Sequence, residues 1–191
     1  MSTANAAIET VAGTALDELS NRSLTFLIGD VVYGIELSHV IEIISIQPIT
    51  PVPALPAYIK GIINLRGKVV PVIDVRLKFN QEERAYDEKT CIIVTMIHDM
   101  HVGLIVDRVA EVLDIAPENS TPPPELGLNA TDKYLTSIAK VGNRIIMNID
   151  CQKFFMADLN YLQLVFEINR LEPLTHELGS DASRPYPHDR R

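Results

Sequence analysis

The residues best suited to metal chemistry lie together in the segment IHDMHVG, where His98, Asp99 and His101 offer two imidazoles and a carboxylate. Such groups bind zinc, but one local cluster supplies too few ligands for a closed tetrahedral site. Strongly apolar runs flank the segment on both sides, which is typical of a β-hairpin with polar residues at its tip. We therefore interpret the segment as a hairpin turn and predict no metal site.

Two aspartates and two cysteines are the other candidates for chemistry. Asp74 and Asp150 stand at matching places in PVIDV and MNIDC, but neither is followed by the Thr/Ser-Gly of an aspartic-protease dyad. An aspartate before a short amphipathic run accepts hydrogen bonds from the free N–H groups of a helical turn, so we predict two helix N-caps. Cys91 and Cys151 lie far apart among aliphatic residues, which indicates core residues rather than a disulfide or metal ligands.

The sequence also lacks the short motifs of common enzymes. It contains no Gly-rich phosphate loop, nucleophile elbow, Cys-x-x-Cys or His-Glu-x-x-His. Its 191 residues carry 17 Lys and Arg against 25 Asp and Glu, a formal net charge of −8 without a basic tract, which disfavours binding to a nucleic-acid backbone. We predict a non-enzymatic protein without a cofactor, whose partners are proteins. A metal or thiol enzyme and a small-barrel nucleic-acid binder are the alternative classes.

The elements that must position any site are short β-strands. From Leu24 the sequence shows ten short runs rich in β-branched residues, separated by turn residues and without a βαβ rhythm. This pattern predicts an all-β architecture of small barrels or a sandwich. Beyond Phe155, apolar residues at helical spacing predict a C-terminal helix within residues 156–178. We expect residues 1–22 to form a flexible or weakly helical arm and residues 179–191 to form a disordered tail.

Neither a secretory signal nor a membrane-spanning segment is visible. The first basic residue is Arg22, acidic residues precede it, and no apolar run approaches the roughly 20 residues needed to cross a bilayer. A cytoplasmic location without membrane insertion is the expectation.

An internal repeat relates the two halves of the chain. Residues 33–43, YGIELSHVIEI, align without gaps on residues 102–112, VGLIVDRVAEV, and residues 58–75 align in the same way on residues 134–151. The aligned pairs include Gly34 with Gly103, Val40 with Val109, Glu42 with Glu111, Tyr58 with Tyr134, Ile62 with Ile138, and Asp74 with Asp150. Each copy supplies about five strands, the size of a small SH3-like barrel.

The segment INLRGK stands between two aliphatic runs, YIKGII and VVPVID. Gly67 predicts the positive φ of a hairpin turn, with Asn64 in the same turn and the Arg66 side chain directed outward. Gly61 in the preceding strand predicts a bulge or the close approach of another backbone.

The order of these segments closely resembles the CheW family of bacterial chemotaxis coupling proteins. The resemblance covers about residues 24–155 and is most specific in IKGIINLRGKVVPVIDVRLKF, where Val75 stands at a frequent Leu position. It implies a CheW-like domain at 23–155 with two intertwined, five-stranded SH3-like barrels, one per repeat copy. The implied boundary lies near residues 80–90, and a groove separates the barrels.

The resemblance also implies function. Such proteins are adaptors that join the cytoplasmic tips of methyl-accepting chemoreceptors to the regulatory domain of the histidine kinase CheA. They are monomers alone and become ordered in membrane receptor arrays. A related coupling protein for a chemotaxis-like pathway, controlling pili, surface sensing or another output, is the alternative.

Two binding surfaces follow from the resemblance. The receptor-binding residues are implied to be Val40, Glu42, Ile43, Arg66, Gly103 and Val112. The kinase-binding residues are implied to be Pro122, Pro124, Glu125 and Leu126, which follow Thr121, a position where some relatives carry Arg.

Overall fold

The computed structural model describes residues 22–123 and 132–171, with side chains described up to residue 167. The strands are β1 (Arg22–Ile28), β2 (Val31–Glu36), β3 (Val40–Ser45), β4 (Ile59–Leu65), β5 (Lys68–Asp74), β6 (Cys91–Ile97), β7 (Met100–Val106), β8 (Arg108–Asp114), β9 (Ser120–Thr121), β10 (Leu135–Val141) and β11 (Arg144–Ile149). The α-helices are α1 (Val75–Lys78), α2 (Cys151–Met156) and α3 (Leu159–Leu171). Apart from Arg22, the predicted arm and tail lie outside the described residues, as does the part of 156–178 beyond residue 171. No helix in the described ranges is long and apolar enough to cross a membrane.

The strands form two sheets, which confirms the prediction of a mostly β fold with two β subdomains. One sheet has the strand order β8-β1-β2-β11-β10-β9, and the other has the order β3-β6-β7-β5-β4. Each sheet therefore takes strands from both repeat copies, and the expectation of one barrel per copy is wrong. Strands of the two copies pair with each other at four places, the parallel pairs β2–β11 and β5–β7 and the antiparallel pairs β1–β8 and β3–β6.

The chain passes between the sheets at two short connections. A 3-10 turn, Leu37–His39, separates β2 from β3, and Asp107 alone separates β7 from β8. Residues 80–90 instead connect α1 to β6 within the five-stranded sheet, so the boundary expected there is not observed.

Two glycines permit the parallel pairs to approach closely. Gly34 lies opposite Asn148, and Gly103 lies opposite Val72, at equivalent positions of the repeat. A Cβ on Gly103 would lie 2.8 Å from Val72 Cγ1, and a Cβ on Gly34 would lie 2.5 Å from Asn148 Oδ1. Because real Cβ atoms do not approach so closely, any larger residue would force the neighbouring side chains or the strands themselves to shift.

The two short helices begin as the sequence predicts. The N–H of Leu77 donates to Asp74 Oδ1 at 3.1 Å, and the N–H of Lys153 donates to Asp150 Oδ1 at 3.0 Å. Both aspartates are therefore helix N-caps, which satisfy backbone donors that the first helical turn leaves free.

Side chains from both sheets and the helices share one large core. An aromatic group lies at its centre, with ring centroids 5.0 Å apart for Tyr33 and Phe79 and 5.8 Å apart for Phe79 and Phe154. Aromatic side chains bury large apolar areas, so this group contributes strongly to joining the helices to the sheets. A second, aliphatic cluster that includes Val72 lies within the five-stranded sheet.

A buried ion pair attaches the start of α3 to α1. Lys78 Nζ is hydrogen-bonded to Asp158 Oδ2, and the two side chains are 2% and 0% exposed. The hydroxyl of Tyr58 donates to Asp158 Oδ1 at 2.7 Å, and burial together with this bond raises the pKa of Tyr58. A buried charge pair persists only with such extra hydrogen bonds, because desolvation of both ions is costly.

Candidate functional site

The hairpin turn between β4 and β5 is the most distinctive part of the site. Leu65 pairs with Lys68, so Arg66 and Gly67 form a two-residue loop with φ angles of 53° and 82°. Two positive φ values in a two-residue loop match the twist of the flanking strands. Asn64 Oδ1 accepts the N–H of Gly67 at 2.9 Å, which fixes the turn.

Arg66 occupies a backbone conformation that favours glycine. The left-handed region costs a residue with a Cβ about 1–2 kcal/mol. At the corresponding place in the second copy, the β10–β11 turn, Gly142 adopts a similar φ of 60°. The first copy thus keeps a long cationic side chain where glycine relieves the strain, and strain of this kind is characteristic of functional positions.

The Arg66 side chain is oriented by Glu42 of β3. Nη2 lies 2.6 Å from Oε2, and Nη1 lies 3.0 Å from Oε1, so the contact is bidentate. Arg66 nevertheless remains 76% exposed. An ion pair this exposed contributes at most about 1 kcal/mol to stability, so its main effect is to hold the guanidinium in one direction.

β3 also carries exposed aliphatic side chains at the positions directly before and after Glu42. The pairing of β3 with β6 shifts between Val40 and Glu42, which places a bulge at Ile41. Both Ile41 and Ile43 are exposed, whereas Val40 is half-buried and packs on the main core. Exposure alternates regularly along β3, so Ile41 lies on the same exposed face as Ile43. The predicted receptor-surface residues came from the family resemblance, which supplied Ile43 but not Ile41.

The two remaining residues of the implied receptor surface, Val112 and Gly103, lie away from the β4–β5 turn. Val112 is exposed on β8 of the other sheet, where it pairs with Leu24 and occupies the repeat position of Ile43. Gly103 is buried in β7 between β5 and β6, where it packs against both strands.

Gly61 lies in β4, where the register of its pairing with β5 shifts between Ile59 and Gly61. Its φ is 135°, and a Cβ there would lie 2.8 Å from the carbonyl carbon of Thr50 and closer still to its oxygen. Thr50 and Ile62 exchange both backbone hydrogen bonds, at 2.8 and 2.9 Å. Gly61 therefore allows the segment after β3 to pair with β4, which joins the two ends of the five-stranded sheet.

A second ion pair, in the other sheet, involves the repeat equivalent of Glu42. Glu111 of β8 is equivalent to Glu42, and its Oε1 lies 2.5 Å from Arg144 Nη1 at the start of β11. The neighbouring Ile145 is 59% exposed. The predicted site residues do not include this pair; the repeat alignment indicates Glu111 as the equivalent of Glu42, but it aligns Arg144 with Lys68 and not with Arg66.

The implied kinase surface is described only in part. Pro122 is exposed directly after β9, whose Thr121 pairs with Ile138 of β10. The other three implied residues, Pro124, Glu125 and Leu126, lie outside the described residues.

The alternative chemical sites find little support. His98 and Asp99 form the two-residue turn between β6 and β7, with φ angles of 47° and 63°, as the hairpin interpretation predicts. Within residues 22–123 and 132–171, no three His, Cys, Asp or Glu side chains are placed to hold a metal ion. Burial raises the pKa of Cys151 to about 12 and also raises the pKa of Cys91, which disfavours a nucleophilic thiolate.

Comparisons with known proteins agree with the fold. A model of the CheW-like domain matches residues 22–158. The chain is 35% identical over 153 residues to the chemotaxis protein CheW of Klebsiella aerogenes, covering 80% of this chain and 92% of that protein. It is 34% identical over 137 residues to CheW of Bacillus subtilis, covering 72% and 88%. The crystal structure of the scaffolding protein TtCheW from Thermoanaerobacter tengcongensis matches with a TM-score of 0.66 at 34% identity, covering 71% of this chain and 92% of that one.

Proposed function

Because this chain belongs to the family of CheW-like domains, we propose that it is a chemotaxis adaptor joining methyl-accepting chemoreceptors to the histidine kinase CheA. Its task is non-enzymatic and depends on two binding surfaces. The same assignment puts its action in the cytoplasm, at arrays of membrane receptors, and we expect a monomer in the absence of partners.

The receptor surface centres on the ion pair of Glu42 and Arg66. A receptor tip is a helical hairpin, and a helix docks on a mostly aliphatic surface with a few charges that fix its direction. Ile41 and Ile43 supply the aliphatic part. Arg66 supplies a fork of donors for receptor carbonyl or carboxylate groups. The observation that carries this proposal is the strained, exposed and oriented Arg66 at a turn position where the repeat has glycine.

The kinase surface is proposed at the segment that follows β9. The regulatory domain of CheA is itself CheW-like, so the contact is one β subdomain against another. Pro122 is exposed at the start of this segment, on the edge of the six-stranded sheet. Proline lacks an N–H group and resists further strand addition, which favours a side-chain contact over sheet extension.

Calorimetric titration tests both surfaces separately. The purified chain is titrated with a receptor signalling-tip fragment and, independently, with the CheA regulatory domain. Arg66→Asp should weaken binding to the tip and leave binding to the kinase domain unchanged. Arg144→Asp, which breaks the equivalent ion pair of the other sheet, is the matched control. Equal affinity of the Arg66 variant and the wild type for the tip would exclude the proposed surface.

A further inference from the structure

Asp107 is the single residue between β7 and β8, two consecutive strands that belong to different sheets. β7 belongs to the five-stranded sheet, and β8 belongs to the six-stranded sheet. The backbone N–H of Asp107 donates to the carbonyl of Leu27 at 3.2 Å. The change of sheet therefore takes place within one residue, against the end of β1.

The carboxylate of Asp107 binds an element from each sheet. Its Oδ2 accepts the N–H of Gly29, in the β1–β2 turn, at 2.6 Å. Its Oδ1 accepts Arg76 Nε at 3.3 Å, and Arg76 Nη2 also bonds to Oδ2. Arg76 lies in α1, directly after β5 of the five-stranded sheet. One carboxylate thus connects the two sheets at the point where the chain crosses between them.

The surroundings strengthen these contacts. The Asp107 and Arg76 side chains are only 18% and 15% exposed. Charge-assisted hydrogen bonds are roughly twice as strong as neutral ones, and partial burial reduces their screening by solvent and salt. Arg84, in the loop after α1, places a second positive charge near this carboxylate, with its Nη1 3.9 Å from Asp107 Oδ2.

The other crossover has no comparable connection among the described contacts. In the repeat alignment, Ser38 is the equivalent of Asp107. The Ser38 hydroxyl makes an exposed hydrogen bond at 3.4 Å to Glu36, two residues earlier in the chain. Such a local contact does not link one sheet to the other.

We propose that Asp107 is a positioning residue that fixes the mutual orientation of the two sheets and thereby shapes the receptor surface. The functional part rests on the proposed function, in which Ile43 and Arg66 come from one sheet and Val112 comes from the other. The shared core keeps the sheets together, so loss of Asp107 changes their orientation or relative mobility and does not separate them.

The expected functional effect follows from population arithmetic. A receptor tip that contacts both sheets binds only the correct arrangement, and its apparent affinity falls in proportion to the population of that arrangement. If Asp107→Ala leaves about one molecule in ten correctly arranged, the affinity for the tip falls about tenfold. Pro122, the described residue of the proposed kinase surface, directly follows the edge strand β9 of the six-stranded sheet, so we expect affinity for the CheA regulatory domain to change by less than about twofold.

The test combines residual dipolar couplings with the two titrations on the full chain. In the wild type, amide couplings of both sheets should fit one alignment tensor. In Asp107→Ala, each sheet should still fit internally, but the two tensors should differ in orientation or magnitude. Ser38→Ala is the matched control and should resemble the wild type. Arg76→Gln, which keeps the Asp107–Gly29 bond, serves if Asp107→Ala does not fold, and it should separate the tensors in the same way.

The outcomes separate this inference from the proposed function. One shared tensor in the folded variant, with wild-type affinity for the tip, would overturn the role of Asp107. A wild-type chain that does not bind the tip would contradict the proposed function, yet the couplings would still decide whether Asp107 orients the sheets.

Discussion

Glu42 and Arg66 form a bidentate ion pair that joins β3 to the turn between β4 and β5, with N–O distances of 2.6 and 3.0 Å. β3 and β4 are the two outer strands of the five-stranded sheet, so the pair connects opposite ends of that sheet. The arginine is thereby held against β3, while most of its side chain stays accessible to a partner.

Arg66→Asp is expected to weaken receptor binding by about tenfold or more, because it removes the cation and places two carboxylates together. The fold should persist, since the residue is exposed in a turn. Calorimetry with the receptor tip gives the affinity, and thermal unfolding gives the stability. A loss of affinity of the same size in Arg144→Asp would show that the effect comes from the change in net charge and not from the position of Arg66.

Arg66→Gly separates function from stability. Glycine relieves a left-handed conformation that costs about 1–2 kcal/mol, whereas the lost ion pair contributes at most about 1 kcal/mol. The variant should unfold at the same temperature as the wild type or a higher one, yet bind the tip more weakly. A clear fall in the unfolding temperature together with normal binding would show that Arg66 serves the fold.

Gly61→Ala is expected to destabilise the protein by about 2–4 kcal/mol, because its Cβ collides with the Thr50 carbonyl at a positive φ. Gly61→Asp should be worse and should impair coupling of the kinase to the receptor. Urea unfolding measures the first effect. Gly67→Ala is a suitable control, since its Cβ position is open and only the strain of positive φ applies. Equal stability of the two alanine variants would contradict the steric explanation.

Lys78→Met is expected to destabilise the fold by about 3–5 kcal/mol, because it leaves the buried Asp158 carboxylate without its cation. Adding Asp158→Asn removes the second charge, and the double variant should lose less stability than the sum of the single variants. Urea unfolding of the wild type, Lys78→Met, Asp158→Asn and the double variant gives the four free energies of this double-mutant cycle. Strict additivity would show that the two charges do not stabilise one another.

Alkylation by iodoacetamide at pH 8 should distinguish the two cysteines. A pKa of about 12 leaves roughly one Cys151 thiol in ten thousand ionised at this pH. Cys91 is less buried, and its pKa is raised less strongly, so it should react first, though more slowly than glutathione. Intact-protein and peptide mass spectrometry identify the modified residue. Rapid labelling of Cys151 in folded protein would contradict its buried environment.

The local features of the fold were predictable because neighbouring residues determine them. The positive φ of Gly67, the N-caps Asp74 and Asp150, and the polar turn at His98 each depend on a few consecutive residues. The internal repeat also indicated two β subdomains. Receptor-surface positions came from the family resemblance, and the structure places Gly103 within the sheet.

The exchange of strands could not be predicted from the repeat. β2 pairs with β1 of its own copy on one side, and its local pattern does not reveal whether its other neighbour comes from its own copy or is β11 of the second copy. The buried pair of Lys78 with Asp158 and the contact of Asp107 with Gly29 join residues that are 80 and 78 positions apart. Such contacts exist only once the sheets have been assembled.

Co-sedimentation with receptor-containing vesicles tests the adaptor function most directly. Vesicles that carry receptor signalling domains are mixed with CheA, with and without the chain, and the kinase in the pellet is measured. CheA should sediment strongly only when the chain is present, and Arg66→Asp should abolish this dependence while Arg144→Asp should not. Equal sedimentation of CheA with and without folded chain would contradict the adaptor function.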